Sequence, residues 1–230
     1  MNINTFNYEE VTANKIIEEL QDNGVVCLEG ANLSIKDYQQ LTESLGKPLI
    51  TENHILDDKR FVQELSETAL FGAGDVEWHC DWSYGRGNYF GTMLYNVEGG
   101  ELANTVFFDM TEFPDDFYQQ YKEAVGDYFP PKKYYEVFTE KQMKLLERIR
   151  VKRPFVFPHP TTGDTVLYCS PVTLQKPHPD ITPIVKYADK HSVSHQWKPG
   201  QILIWDNLRV MHKRGAFEGH RLMWRSQFIL

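Results

Sequence analysis

The sequence predicts a mainly β fold of the α+β kind, and three observations carry that expectation. Short runs rich in β-branched and aromatic residues recur from residue 25 to the C-terminus, with Gly- and Pro-bearing turns between them. Stretches with apolar residues at helical spacing lie before and between those runs, as a shell would. There is no internal repeat and no low-complexity segment. Short strands with flanking helices suit a distorted jelly roll, the cupin-like double-stranded β-helix.

Taken in order, residues 8–22 place Val11, Ile16, Ile17 and Leu20 at helical spacing before Asn23-Gly24, a helix stop. A short strand over 25–28 follows. Ser34 is positioned as the N-cap of a second helix that ends near Gly46, with Pro48 beyond it. Residues 88–97 and 105–110 read as strands separated by a Gly99-Gly100 turn. Residues 114–126 and 140–150 read as helical, which puts a helical insertion around 111–150. Later strands are expected over 155–157, 166–168, 202–205 and 222–229, with Pro199-Gly200 turning the chain into the third of these. A chain of 230 residues supports one sizeable core, and no linker divides it, so a single domain over 1–230 is expected.

Bulk properties narrow the function classes. The net charge is −8 and no Lys/Arg stripe stands out, which argues against nucleic acid as a partner. Cys27, Cys80 and Cys169 are odd in number and widely spaced, as expected of small buried thiols in a reducing compartment. The N-terminus lacks the basic start and apolar run of a signal peptide, and no stretch approaches the roughly 20 apolar residues of a membrane span. A cytoplasmic enzyme acting on a small molecule, away from membranes, is the expectation.

The chemistry is concentrated in Trp78-His79-Cys80-Asp81 and, far downstream, Trp205-Asp206-Asn207 leading to His212. On an extended strand His79 and Asp81 share a face while Cys80 points to the other. With His212 they form the donor set of a facial two-histidine, one-carboxylate site, which holds a divalent iron and leaves coordination positions open. Alone, His-x-Asp is a chance tripeptide whose ordinary reading is an exposed or hydrogen-bonded pair. The run His220-Arg221-Leu222-Met223-Trp224-Arg225 adds weight, because a strand there turns Arg221 and Arg225 to one side, where guanidiniums can fork onto carboxylates.

With these residues in order the chain resembles the TauD/TfdA (taurine dioxygenase-like) family of Fe(II)- and 2-oxoglutarate-dependent oxygenases. Further landmarks are Gly99-Gly100 before Thr105, His159-Pro160-Thr161-Thr162-Gly163 leading to Leu167-Tyr168, and the segment from Trp197 to Asn207. The resemblance spans roughly residues 24–230. It implies that His79, Asp81 and His212 bind Fe(II), that Arg221 grips the distal carboxylate of 2-oxoglutarate, and that the Thr105 hydroxyl supports that carboxylate. It also implies that O2 is the second cosubstrate, that 2-oxoglutarate is decarboxylated to succinate and CO2, and that a substrate C–H bond is hydroxylated or otherwise oxidised. Where the family reads Gly-Gly-Asp-Thr, this chain reads Gly99-Gly100-Glu101-Leu102-Ala103-Asn104-Thr105, which leaves the register of Thr105 open.

Arg225 stands where family members place a second arginine, beside the cosubstrate or against an anionic substrate. Left unpaired in a cavity it would be costly, so its partner is a substrate anion, the C1 carboxylate of 2-oxoglutarate, or a nearby Asp or Glu. His54, Trp78 and Arg86 are further candidates for substrate contact, although Trp78 is more often a core aromatic and Arg86 a loop charge. His159 belongs to its landmark turn, while His178, His191 and His195 fall in polar segments where a solvated ring is the ordinary reading. A small anionic or amino-acid-like metabolite is the expected substrate. Two rivals are a zinc hydrolase on the same His/Asp/His set, which has no use for Arg221, and an inactive jelly-roll binding protein, which would have shed a ligand.

Overall fold

The computed structural model describes residues 1–49, 61–68, 72–85, 90–99, 104–130, 139–140, 143–144, 147 and 151–229. Strand β1 (Asn4–Asn7) leads to helix α1 (Ala13–Asn23), β2 (Val25–Glu29), helix α2 (Ile35–Leu45) and the short β3 (Lys47–Pro48). Strands β4 (Gln63–Ser66), β5 (Val76–His79), β6 (Phe90–Gly99) and β7 (Thr105–Asp109) follow. Helix α3 (Asp115–Tyr121) precedes two ribbons, β8 (Val125–Tyr128) with β9 (Val151–Pro154) and β10 (Val156–Pro158) with β11 (Thr165–Leu167). The chain closes with helix α4 (Thr182–His191), β12 (Val193–His195), β13 (Ile202–Asp206), β14 (Val210–Arg214) and β15 (Arg221–Ile229).

The strands build two facing sheets. The major sheet runs β1-β2-β13-β6-β15-β3, with β4 also paired to β15, and the minor sheet runs β12-β7-β14-β5. Side-chain alternation sorts each strand between layers. On β13, Leu203 and Trp205 turn inward with Val25, Cys27, Phe107 and Met223 to fill the space between the sheets. Ile202 and Ile204 turn outward onto α1 and α2, against Ile16, Leu20 and Tyr38. On the minor sheet Phe108 and Met211 face outward with Trp78, Tyr121 and Ile184, under α3 and α4. Strand β13 is buried on both faces, which is why it reads as a continuous apolar run rather than an alternating one.

This is the mainly β, jelly-roll architecture that the sequence predicts, and several elements fall where expected. Thr12 and Ser34 cap α1 and α2, the latter through a capping box in which Ser34 accepts from Asp37 N and Asp37 accepts from Ser34 N. Gly24 ends α1 at φ 75°, a left-handed position suited to glycine. Other elements differ. The first helix begins at Ala13 rather than near residue 8, because residues 4–7 form β1 parallel to β2. The helix expected over 114–126 stops at Tyr121, and Val125–Tyr128 instead pairs with β9, so the insertion around 111–150 holds a β ribbon as well as α3. Helix α4 and strand β12 lie in a stretch read from sequence as loop. All three cysteines are buried and unpaired. Among the described residues no helix is long and apolar enough to cross a membrane.

Removal of the Ser34 hydroxyl ends one half of the capping box, so Ser34→Ala should cost about 1 kcal/mol of stability without altering the sheets. A urea titration monitored by circular dichroism measures this, and an unchanged midpoint would contradict it.

Candidate active site

The last residue of β5 and the middle residue of β14 are cross-strand partners, and they are His79 and His212. Their rings lie 4.1 Å apart between centroids. Asp81 is not on the strand as the sequence reading had it: β5 ends at His79, and Asp81 opens the turn that follows. Cys80 does point the other way, into the outer core of the minor sheet. What presents Asp81 is Asn207, whose side chain accepts from Asp81 N at 2.9 Å and donates to Asp81 O at 2.8 Å. The next residue, Trp82, turns the chain at φ 52°, a left-handed conformation uncommon for a bulky side chain.

The three side chains converge. One ligand atom from each of His79, Asp81 and His212 lies within 4.8 Å of the others, the one such group among the described residues. Asp81 Oδ1 faces both imidazoles, at 3.7 Å from His79 Nε2 and 3.9 Å from His212 Nε2. His79 Nδ1 donates to the Glu77 carbonyl at 2.8 Å, which leaves the Nε2 lone pair for a metal. Burial lowers the His79 pKa despite Asp81 nearby, and burial together with His79 takes His212 well below the ordinary histidine value. Both rings are therefore neutral donors at pH 7. Two imidazole nitrogens and one carboxylate oxygen in this arrangement fit a divalent iron.

The other oxygen of Asp81 is taken. Arg225 on β15 places Nη2 2.7 Å from Asp81 Oδ2 and donates Nη1 to Gln63 at 2.9 Å, so its partner is an aspartate of this chain rather than open solvent. Of the partners weighed for Arg225, a nearby aspartate is the one present. Burial pushes the Asp81 carboxyl up, but Arg225, His212 and His79 outweigh it and hold the group well below the usual carboxylate range.

Beside the triad lies a cavity of about 60 Å³ walled by Leu65, Leu94 and Trp205 and reached by Thr105, Arg214, Arg221 and Arg225. Thr105 accepts a hydrogen bond from Trp197 Nε1 at 2.9 Å, leaving its hydroxyl proton to be donated. It therefore reaches the site whatever the register of the loop before it. Arg221 is 4% exposed, its Nε has no hydrogen-bond partner among the described residues, and burial followed by Arg214 lowers its pKa to about 10. Gly99 stands opposite Arg221 at φ 69°, where a Cβ would meet the His220 carbonyl at 2.2 Å; only glycine lets β6 approach so closely.

Trp78 is placed elsewhere. Its indole packs in the outer core and donates to Asp189 at 2.8 Å, the role of a core aromatic. His54 and Arg86 lie outside the described residues. His159 is fully buried with Nε2 3.0 Å from Asp206 and its Nδ1 serving its own turn. Sequence reasoning missed Arg214, which lines the cavity, and Gln63, the second partner of Arg225. Arg214 was accessible in principle, since it follows His212 by two positions on one strand and so shares its face. A wider hollow of about 720 Å³ beside α3 carries Asp22, Asp115 and Asp164 but no converging metal donors.

A two-histidine, one-carboxylate donor set on a double-stranded β-helix, with cations beside it, defines the class of mononuclear non-haem iron oxygenase sites. The model of the family described as taurine catabolism dioxygenase TauD, TfdA family, matches residues 2–227, and the chain belongs to that family. It is an Fe(II)- and 2-oxoglutarate-dependent dioxygenase. A taurine dioxygenase from Burkholderia xenovorans superposes at TM-score 0.75 and 17% identity, over 100% of this chain and 86% of the other. AAD-2, in complex with Mn(II) and N-oxalylglycine, does so at 0.73 and 15%, over 99% and 94%. PvcB, an oxygenase from an isonitrile synthetic pathway, gives 0.68 and 16%, over 98% and 82%. At these identities the likeness is one of fold. No curated protein matches the chain by sequence.

Because folded His212 takes up a proton only well below 6.5, the unfolded chain is protonated there first. The metal-free protein should therefore lose stability as pH falls from 6.5 toward the folded value. Urea midpoints at pH 7.5 and 5.5 test this, with His212→Gln expected to flatten the dependence; an equally steep variant would remove His212 as its source.

Proposed function

We propose that the enzyme oxidises a C–H bond of a small anionic metabolite, with an amino acid or its derivative as the leading class, and that His79, Asp81 and His212 hold its iron. When bound, iron and O2 supply the oxidising chemistry, which splits 2-oxoglutarate into succinate and CO2 and delivers one oxygen atom to the substrate. The chain's own residues bind and orient. His79 and His212 offer Nε2 and Asp81 offers Oδ1, while Arg225 holds Oδ2 and so directs the carboxylate. Arg221 and the Thr105 hydroxyl would take the distal carboxylate of 2-oxoglutarate. Leu65, Leu94 and Trp205 keep water from that end.

The observation that carries the substrate class is charge. Among the described residues that line the cavity are three guanidiniums, Arg214, Arg221 and Arg225, and one carboxylate, Asp81. Glu67 accepts from Arg221 N at 3.2 Å. A site lined chiefly by guanidiniums favours an anionic substrate.

Succinate formation across a panel of carboxylates, sulfonates, phosphates and matched neutral compounds tests the proposal. Stimulation by anions is expected, with turnover lost in His79→Ala, Asp81→Ala and His212→Ala. Stimulation by the neutral compounds alone would overturn the substrate class, and full activity in any of the three variants would remove that residue from the metal set.

A further inference from the structure

Asp81 has two oxygens, and the major sheet decides which of them a metal meets. Oδ1 faces His79 and His212, whereas Oδ2 is approached from the facing sheet by two donors, Arg225 Nη2 at 2.7 Å and the Thr92 hydroxyl at 3.4 Å. Thr92 lies on β6 two residues before Leu94, and Arg225 and Gln227 follow Met223 on β15 by two and four, so these side chains turn into the space between the sheets. Across the ladder Thr92 is the direct partner of Gln227, and Arg225 of Gln63.

Each donor is itself held by an amide. Gln227 Nε2 donates to Thr92 Oγ1 at 3.2 Å, and Gln63 Oε1 accepts from Arg225 Nη1 at 2.9 Å. Thr92, Gln227 and Gln63 are all buried. Because an amide N–H already arrives at the Thr92 oxygen, the hydroxyl proton turns away from Gln227, and Asp81 Oδ2 accepts it. A hydrogen bond of 3.4 Å is long, and beside the Arg225 ion pair it adds little attraction. What it adds is direction: a carboxylate oxygen has two lone pairs, and with Arg225 on one and Thr92 on the other, Oδ2 has none left for a cation.

We propose that Thr92, oriented by Gln227, is a positioning residue for Asp81. Together with Arg225 it saturates Oδ2, so the carboxylate is held to offer a metal Oδ1 alone and does not swing to offer both oxygens. The inference rests on the reading that His79, Asp81 and His212 hold the iron. It gives a role to two buried polar side chains, Thr92 and Gln227, at positions that packing alone would fill with apolar groups. Its chemical consequence is that the protein supplies three donor atoms and no fourth, which leaves the position a second Asp81 oxygen would take open to a chelating cosubstrate.

Calorimetric titration of the metal-free protein with Mn(II) tests this. Thr92→Val keeps the shape of the side chain and removes the hydroxyl, and should weaken Mn(II) binding about tenfold, as loss of a partner behind a metal ligand does. Thr92→Ser keeps the hydroxyl and loses the methyl, and should stay within about twofold of wild type. Gln227→Met removes the amide that orients the hydroxyl, and should fall between the two. Weakening in Thr92→Ser as large as in Thr92→Val would show a packing role, and wild-type affinity in Thr92→Val would show none; either overturns the inference. If Thr92→Val does not fold, Gln227→Met decides, and wild-type Mn(II) affinity in that variant overturns the inference. His212→Ala is the control: if it loses Mn(II) while Thr92→Val keeps it, this inference alone fails, and if His212→Ala binds as wild type does, the metal reading fails with it.

Discussion

The ion pair between Asp81 and Arg225 is the interaction on which the site depends. Asp81 follows a strand of the minor sheet and Arg225 belongs to the major sheet, so their 2.7 Å contact ties the two layers together where they open around the metal donors. A buried pair of this kind gains little net stability, because desolvation offsets much of its attraction; breaking it, however, strands a charge at a cost of about 3–5 kcal/mol. Its value is orientation. With Oδ2 occupied by Arg225 and the backbone fixed by Asn207, Oδ1 is left facing two neutral imidazoles.

The rest of the molecule keeps that cluster rigid and dry. Inward residues of both sheets pack Trp205 and Phe107 edge-on at 5.5 Å, and Trp205 meets the His212 ring at 4.8 Å, so the distal histidine is wedged by aromatic neighbours. The outward faces are covered by separate clusters under α1 with α2 and under α3 with α4. The strands that supply His79, His212 and Arg225 are thus covered on their outward faces. Small errors in ligand position are resisted by packing density rather than by hydrogen bonds alone.

Much of this was legible in the residues, and what was not has physical causes. Ser34 and Gly24 announced helix ends because capping chemistry is local. His79 and His212 were legible as candidate metal donors through their residue types and the motifs around them, and the structure brings them together with Asp81. By contrast β1, Asn-Thr-Phe-Asn, has almost no apolar signal, and it exists as a strand because β2 offers it an edge. Residues 125 and 126 closed the helix expected over 114–126, yet Val125–Tyr128 pairs with β9, a tertiary partner no local period reveals. Arg225 was placed correctly on the cavity face, but its partner depends on a turn conformation at Asp81 and Trp82 that strand periodicity cannot supply. Arg214 was lost in Lys213-Arg214-Gly215, which reads as surface charge although Lys213 alone faces outward, over the Trp78 ring.

The two rival classes fail on the same end of the cavity. A zinc hydrolase needs three ligands and an activated water, and has no reason to bury Arg221 with Thr105 beyond them. An inactive binding module has no reason to keep three donor atoms within 4.8 Å while tolerating the like-charge cost around them. An oxygenase that must bind a dicarboxylate beside its metal needs both features. The fold likeness to taurine dioxygenase and PvcB does not extend to a substrate, since at 15–17% identity one scaffold hosts many specificities. Substrate choice therefore has to be read from charges that belong to this chain. Three guanidiniums and one carboxylate line the cavity, and that composition is the ground of the proposal that the substrate is an anion.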